Sequence, residues 1–346
     1  MHRNHVHLLA CPKCKSNLQL IESSADANRP RAECDSDDQH LETGELACVK
    51  CPAAFPIVNS IPRFIPPDNY AASFGYQWNL HHKTQYDSCS GGSISQDRLA
   101  RQTNWNDDLT GEVILEAGSG SGRFTEHLVK TNATVVSLDY SNAVEANYRN
   151  NGDNRNLLII QADIFELPFR ENYFDKVLCI GVLQHTPDAY RALSSLRTVL
   201  KPGHQLIVDI YRLTWRTFFW TKYYVRPITC KISNERLYSG VNLYVNLMWP
   251  VATIVSKLGK PGIWINRYLL VPDYRRLYKM DKDAYKTWAK LDLFDMLSPK
   301  YDRPVTIKHF RSWFEKLDFE QIDVAPGFNG ITGRAIKRPT ETARTL

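Results

Sequence analysis

The chain has 346 residues, 43% of them hydrophobic, enough to bury a substantial core and divide into two or more units, so it reads as a globular protein. Its 43 basic and 37 acidic residues leave a formal charge of +6, dispersed rather than gathered in a run, which permits an anionic substrate or RNA and establishes neither. His2, Arg3, Asn4, His5 and His7 crowd the first residues where a signal peptide would be apolar, and a cytoplasmic address is expected.

The eight cysteines are not spread as a disulfide framework. Cys11 and Cys14 make one Cys-x-x-Cys knuckle and Cys48 and Cys51 a second; in a reducing compartment four thiolates so paired suit one tetrahedral zinc. Thirty-three residues separate the knuckles, and the acid-rich piece at 22–42 reads as a loop inserted in a small β-ribbon. A thioredoxin-like redox use is the competing reading, but no βαβ pattern surrounds Cys11. Cys34, Cys89, Cys179 and Cys230 are isolated, and packing suits them better than ligation. A structural zinc would hold together a unit, 1–66, too small to fold on its own core.

Pro62, Pro66 and Pro67 form a stiff linker. The segment 67–110 that follows holds Phe74, Tyr76 and Trp78, which read as a lid, since a dry pocket strengthens electrostatic interactions inside it.

Residues 113–123 read Val-Ile-Leu-Glu-Ala-Gly-Ser-Gly-Ser-Gly-Arg, a buried strand turning sharply into a nucleotide-binding loop. The glycines stand at 118, 120 and 122, whereas a dinucleotide fingerprint would place its last glycine at 123, where Arg123 stands; this argues against NAD. A second apolar run ends in Asp139, twenty-one residues after Gly118, where an open parallel sheet places a carboxylate for ribose hydroxyls. Further runs lead to Asp163 and Ile164, to Gly181, and, after a turn at 201–204, to Tyr211. Such runs, separated by helical stretches, predict a parallel α/β sheet buried on both faces, with the cofactor half of the core over 111–211.

The series Glu-x-Gly-x-Gly-x-Gly-Arg-Phe, Leu-Asp-Tyr-Ser, Gln-Ala-Asp, Leu-Pro-Phe and Leu-Lys-Pro-Gly resembles the class I S-adenosylmethionine-dependent methyltransferases, in the broad group that includes the ubiquinone-biosynthesis enzymes. The resemblance covers roughly 111–212, resumes near 301, and extends to 73–105 as a cover over the cofactor. It implies a Rossmann-like seven-stranded sheet with a terminal antiparallel hairpin. It also implies a cofactor set of Glu116, Gly118, Ser119, Gly120, Gly122, Asp139, Tyr140, Asp163, Ile164 and Gly181. In that set the methionine part lies against Glu116, Gly118 and Gly120, the ribose on Asp139, and the adenine beside Asp163 and Ile164. Physically, a bidentate carboxylate suits a vicinal diol and Glu116 can balance a sulfonium or ammonium charge. Gly203-His204 and Gln184-His185 depart from the family's usual Gly-Gly and His-His, which bears on substrate rather than cofactor. The stretch from Phe55 to Pro66 resembles the end of the short zinc-ribbon proteins that activate RNA and protein methyltransferases, here fused in front.

Residues 212–300 form an insertion rich in Trp, Tyr and Arg, predicted to be a helical cap over the substrate cleft. Its uncharged stretch 241–255 is too short and too interrupted by Asn242, Asn246 and Pro250 to span a bilayer, and a membrane-surface contact is the alternative to a cap. Tyr211, Arg212 and Arg216 at its start are placed to face an anionic acceptor. The core resumes over 301–346, with a helix behind Thr306 as N-cap and then the hairpin.

These features predict an enzyme that methylates a small-molecule or saccharide-like acceptor at oxygen or carbon. The Asn/Asp-Pro-Pro-aromatic motif of amino-group methyltransferases is missing. His185 is the candidate base, with a structural hydrogen bond ahead of Thr186 as N-cap and Pro187 as its other reading. A ribbon-bearing RNA base methyltransferase and a non-catalytic interaction protein of the same fold are the alternatives; the RNA enzymes with such a ribbon have a shorter one with mixed Cys and His ligands, and the intact acids at 116, 139 and 163 speak against a non-catalytic protein. Oligomeric state is not encoded in any motif.

Overall fold

A computed structural model describes residues 1–21, 40–66, 69–275, 278, 280 and 282–339. Cys34, Pro67 and most of the acid-rich piece at 22–42 lie outside the described residues.

At the amino terminus β1 (Leu18–Ile21), β2 (Gly44–Cys48), β3 (Ala54–Val58) and β4 (Ile61–Pro62) pair antiparallel in that order. This ribbon is not free-standing. The Ala10 amide donates to the Pro168 carbonyl at 2.8 Å, Lys15 Nζ to that of Leu167 at 2.7 Å, and the Phe64 amide to that of Gln161 at 2.8 Å. One apolar cluster accordingly runs from Leu9, Leu46 and Phe55 of the ribbon to Ile160, Phe169 and Phe174 of the main core.

Three helices, α1 (Ala72–Leu80), α2 (Asp87–Ser90) and α3 (Ile94–Thr103), lead into the main domain. There β5 (Val113–Ala117), β6 (Thr134–Asp139), β7 (Leu157–Gln161), β8 (Phe174–Cys179) and β9 (Leu200–Ile210) pair in parallel. The helices α4 (Thr125–Leu128), α5 (Val144–Asn151) and α6 (Ala189–Val199) connect them. β7 is buried at every position and β6 at all but its first, as continuous apolar runs require in a sheet covered on both faces.

The insertion folds into α7 (Thr221–Thr229), α8 (Asn234–Ser256), α9 (Lys260–Tyr268) and α10 (Lys282–Leu297). Then α11 (Ile307–Lys316) packs Phe310, Trp313 and Phe314 inward, with Thr306 accepting from the His309 amide as its cap. The antiparallel hairpin of β10 (Phe319–Gly327) and β11 (Gly330–Lys337) completes a seven-stranded sheet of order β10-β11-β9-β8-β5-β6-β7. Chain direction around β5 sends β6 to one side and β8 to the other, which opens a crevice at the carboxyl ends of these strands.

Two local expectations are corrected. Residues 201–204 do not form a turn ahead of the fifth strand; they lie within β9, where Phe174 pairs with Leu200 but Lys176 with Gln205. Pro202 has no amide for the ladder and Gly203 sits at φ +78°, so this stretch bulges out and pairing resumes beyond it. Thr186 is not the cap of α6 either. Its hydroxyl donates back to the Leu183 carbonyl at 2.8 Å, and Asp188 caps the helix by accepting from the Arg191 amide at 3.0 Å.

Candidate functional site

β5 delivers Glu116 and then the glycine loop. Gly118, Gly120 and Gly122 take φ of +80°, +56° and +91°, a region closed to most side chains. At Gly122 a Cβ would lie 2.1 Å from Asn147 Oδ1, so only glycine lets the loop close down on α5. Asn147 in turn donates to the hydroxyls of Ser119, Thr125 and Ser137, which binds the loop to the sheet behind it.

Asp139, at the end of β6, reaches the same loop. Its Oδ2 accepts from the Gly120 amide at 2.8 Å and its Oδ1 from the Ser141 amide and hydroxyl at 2.8 and 2.7 Å. Burial raises its carboxyl above the ordinary range, with these donors working against the rise. Glu116 is buried behind the loop: Oε2 accepts from Thr125 and Ser137 at 2.5 and 3.0 Å, and Oε1 has no partner among the described residues. Burial pushes its carboxyl up to about 7.

A cavity of about 880 Å³ opens in front of the loop. It takes in Gly118, Ser119, Gly120, Asp139, Tyr140 and Ile164, with Gly181 and His185 beyond β8. Glu116, Gly122 and Asp163 are not on its surface; Asp163 lies next to Ile164, half-buried, with Oδ1 accepting from the Phe165 amide at 2.9 Å. His185 is buried between the rings of Phe74 and Tyr211, whose centroids are 5.0 and 5.4 Å away. Its Nδ1 lies 2.9 Å from the Tyr301 carbonyl, and since a carbonyl only accepts, Nδ1 carries the hydrogen and Nε2 is left as the basic nitrogen.

Phe74 and Trp78 line the cavity as a lid would, whereas Tyr76 turns away to pack on Tyr238 and Phe294 of the insertion. The opposite wall belongs to the insertion and holds Tyr211, Arg212, Arg216, Lys222, Trp264 and Arg267. Within the insertion the stretch 241–255 does not itself reach the cavity. α8 instead turns Leu237, Val241 and Val245 onto Ala289, Leu293 and Leu297 of α10, so it backs the wall without lining it.

Several residues in and behind the cavity escaped the sequence reading. Asp292 and Asp295, on α10, line the cavity; burial first and the mutual repulsion of the pair second push Asp292 up to about 7. Lys222 pairs with Asp302 at 2.7 Å, and Asp302 also accepts from the Tyr223 hydroxyl at 3.1 Å. Tyr70, one residue past a cluster of prolines and polar residues, packs its ring at a tilt on that of Tyr140 with centroids 4.8 Å apart. Asp209, fully buried in β9, accepts from Arg98 at 2.8 Å, Gln102 at 3.0 Å and the Gly181 amide at 2.6 Å, and so fixes the loop after β8. A run of apolar residues interrupted by one acid was its only signal.

In the ribbon, Cys11 and Cys51 sulfurs lie 3.7 Å apart, Cys14 and Cys48 3.4 Å, and Cys14 and Cys51 3.7 Å; all four thiols lie within 4.8 Å of one another. Tetrahedral bonds of about 2.3 Å place sulfurs roughly 3.8 Å apart, so the four suit a single metal ion. The cluster belongs to the ribbon and shares no residue with the cavity.

A seven-stranded sheet of this order, with a glycine loop after β5 and an acid closing β6, has the class I methyltransferase architecture. Residues 115–208 match the methyltransferase domain family, and residues 3–60 match the Trm112p-like protein family. The ubiquinone/menaquinone biosynthesis C-methyltransferase UbiE of Wigglesworthia glossinidia brevipalpis is 35% identical over 104 residues, covering 28% of this chain and 42% of that protein. The demethylmenaquinone methyltransferase of Thermobifida fusca is 29% identical over 121 residues, covering 34% and 51%, and a ubiquinone biosynthesis O-methyltransferase of Coxiella burnetii is 27% identical over 115, covering 33% and 49%. The chain thus spans about half the length of these curated relatives. Among solved structures, the CurJ carbon methyltransferase aligns at 14% identity with a TM-score of 0.42, covering 79% of this chain and 62% of that one. Residues 115–208 of this chain are thus similar to a methyltransferase domain and residues 3–60 to a Trm112p-like protein, and the relatives of the first include ubiquinone-biosynthesis methyltransferases.

Proposed function

We propose that the chain transfers the methyl group of S-adenosylmethionine to an oxygen or carbon of a small-molecule or saccharide-like acceptor. The observation that carries this reading is the single cavity that joins the glycine loop and Asp139 to the basic, aromatic wall of the insertion. Bound S-adenosylmethionine supplies the electrophilic methyl carbon. Around it the backbone of Gly118 to Gly120 approaches the methionine part, Asp139 takes the ribose diol, and Ile164 packs on the adenine beside Asp163. Glu116 balances positive charge from behind the loop. Positioning in a desolvated pocket is the main source of rate. Where the acceptor must lose a proton, His185 Nε2 takes it; Asp292, with its raised carboxyl, is the second candidate. Tyr211, Arg212 and Arg216 bind the anionic part of an acceptor. Cys11, Cys14, Cys48 and Cys51 hold one structural zinc remote from this chemistry.

The test is calorimetric titration with S-adenosylhomocysteine. Asp139→Ala removes a charge-assisted contact worth about 2 kcal/mol and should weaken binding about thirtyfold. Tight binding of NADH with no response to S-adenosylhomocysteine overturns the reading. Acceptors are then screened with labelled S-adenosylmethionine.

A further inference from the structure

α8 presents an apolar stripe that no other described residue covers. Leu243, Leu247, Val251 and Ile254 follow one another on one face at helical spacing, with Leu258 just beyond the helix. The turn at 215–219 of the same insertion adds Trp215, Phe218 and Phe219, and all eight are between 43% and 69% exposed. Single exposed apolar side chains are ordinary, whereas an aligned set of this kind needs a partner. Charge follows the same segment. Between Arg212 and Tyr268 there are nine basic residues and one acid, Glu235, while the rest of the chain has 34 basic and 36 acidic residues. Seven of the nine are exposed: Arg212, Arg216, Lys231, Arg236, Lys257, Lys260 and Arg267.

We propose that the insertion docks on the surface of an anionic lipid bilayer, the apolar stripe entering the boundary of headgroups and acyl chains and the basic rim meeting lipid phosphates. No described helix is long and apolar enough to cross a membrane, so the contact is interfacial. Arg216 joins the exposed turn to the cavity. Its guanidinium lies 5.3 Å from the Trp215 ring and 5.4 Å from that of Trp264, and both Arg216 and Trp264 line the cavity. α9, which carries Trp264, is tied to α8 by Asn266 Nδ2 donating to the Ala252 carbonyl at 2.9 Å. The docked face therefore includes the cavity rim, and an acceptor enters from the bilayer side. Docking itself depends on this surface and not on methyl transfer.

The full chain is sedimented with vesicles of phosphatidylcholine alone and of phosphatidylcholine with about 30% phosphatidylglycerol. Binding to the anionic vesicles is expected to weaken as salt rises, and about tenfold or more in Leu247→Glu/Ile254→Glu and in Lys257→Glu/Lys260→Glu. All four positions are exposed, so both variants should keep the parent's circular dichroism and its affinity for S-adenosylhomocysteine. Failure to bind anionic vesicles, or equal binding to both kinds, overturns the proposal. So does a dimer in the ultracentrifuge that Leu247→Glu/Ile254→Glu dissolves without any vesicle binding, which assigns the stripe to a second copy of the chain. Loss of S-adenosylhomocysteine binding by the parent chain would strike the methyltransferase reading alone.

Discussion

Glu116 is a buried acid whose two oxygens are treated unequally, one held by Thr125 and Ser137 and the other without a partner among the described residues. Its carboxyl stands near 7 in the folded chain, above its ordinary 4.5, because burial disfavours the charge. Between these values the folded chain holds a proton that the unfolded chain has released, so the stability from this site falls as pH rises through that window and is level above it. Glu116→Gln should therefore flatten the profile, shrinking the loss of unfolding free energy between about pH 5 and pH 8 by on the order of 2 kcal/mol. Urea titrations at the two pH values measure it, and an unchanged difference refutes the assignment. His185 and Asp292 compete as proton acceptors in the proposed reaction. His185→Gln should lower kcat about a hundredfold or more with cofactor affinity unchanged, and Asp292→Asn much less. The reverse order in steady-state kinetics would transfer the role to α10.

At the scale of elements, the loop after β8 is held from outside itself. Asp209 of β9 binds the Gly181 amide, and the same carboxylate binds Arg98 and Gln102 of α3, so three segments meet on one buried charge. Asp209→Asn leaves Arg98 buried without its counter-charge and should cost about 3 kcal/mol in denaturant unfolding. Affinity for S-adenosylhomocysteine should fall with it, since Gly181 borders the cavity. A variant as stable as the parent would mean that the pair contributes no more than an exposed one. The insertion divides its labour in the same manner: α9 and α10 supply the wall, and α8 stiffens them from behind through Val241 and Val245.

Across the whole molecule, the ribbon and the sheet share one core. Leu9, Leu46 and Phe55 belong to the same cluster as Ile160 and Phe174, and Arg63 of the ribbon's trailing end donates to Gln161 at 2.7 Å. Metal removed from the four cysteines should therefore be felt beyond the ribbon. Purified chain should contain about one zinc, and stripping it with a chelator, or making Cys48→Ala with Cys51→Ala, should lower the Tm of a single calorimetric transition by several degrees. A separate low-temperature transition with the main one unmoved would show the ribbon to be an independent unit.

The sequence by itself determined the parts whose signal is local. Glycines at 118, 120 and 122, acids closing successive apolar runs, and two cysteine pairs each state their geometry within a few residues, because a tight turn, a buried strand or a metal knuckle is made from near neighbours along the chain. The strands at 113–117, 134–139, 157–161 and 174–179 and the terminal hairpin follow from those runs. Only the tertiary structure decided the rest. Asp209 meets Arg98 across 111 positions of sequence, and Lys15 meets Leu167 across 152; no periodicity records such pairs. Asp292 and Asp295 reach the cavity only because α10 is packed over the crevice, and within the insertion the stretch 241–255 lies off the cavity because α8 turns it onto α10 and outward. Burial and long-range juxtaposition are properties of the folded chain, and they gave these residues their place.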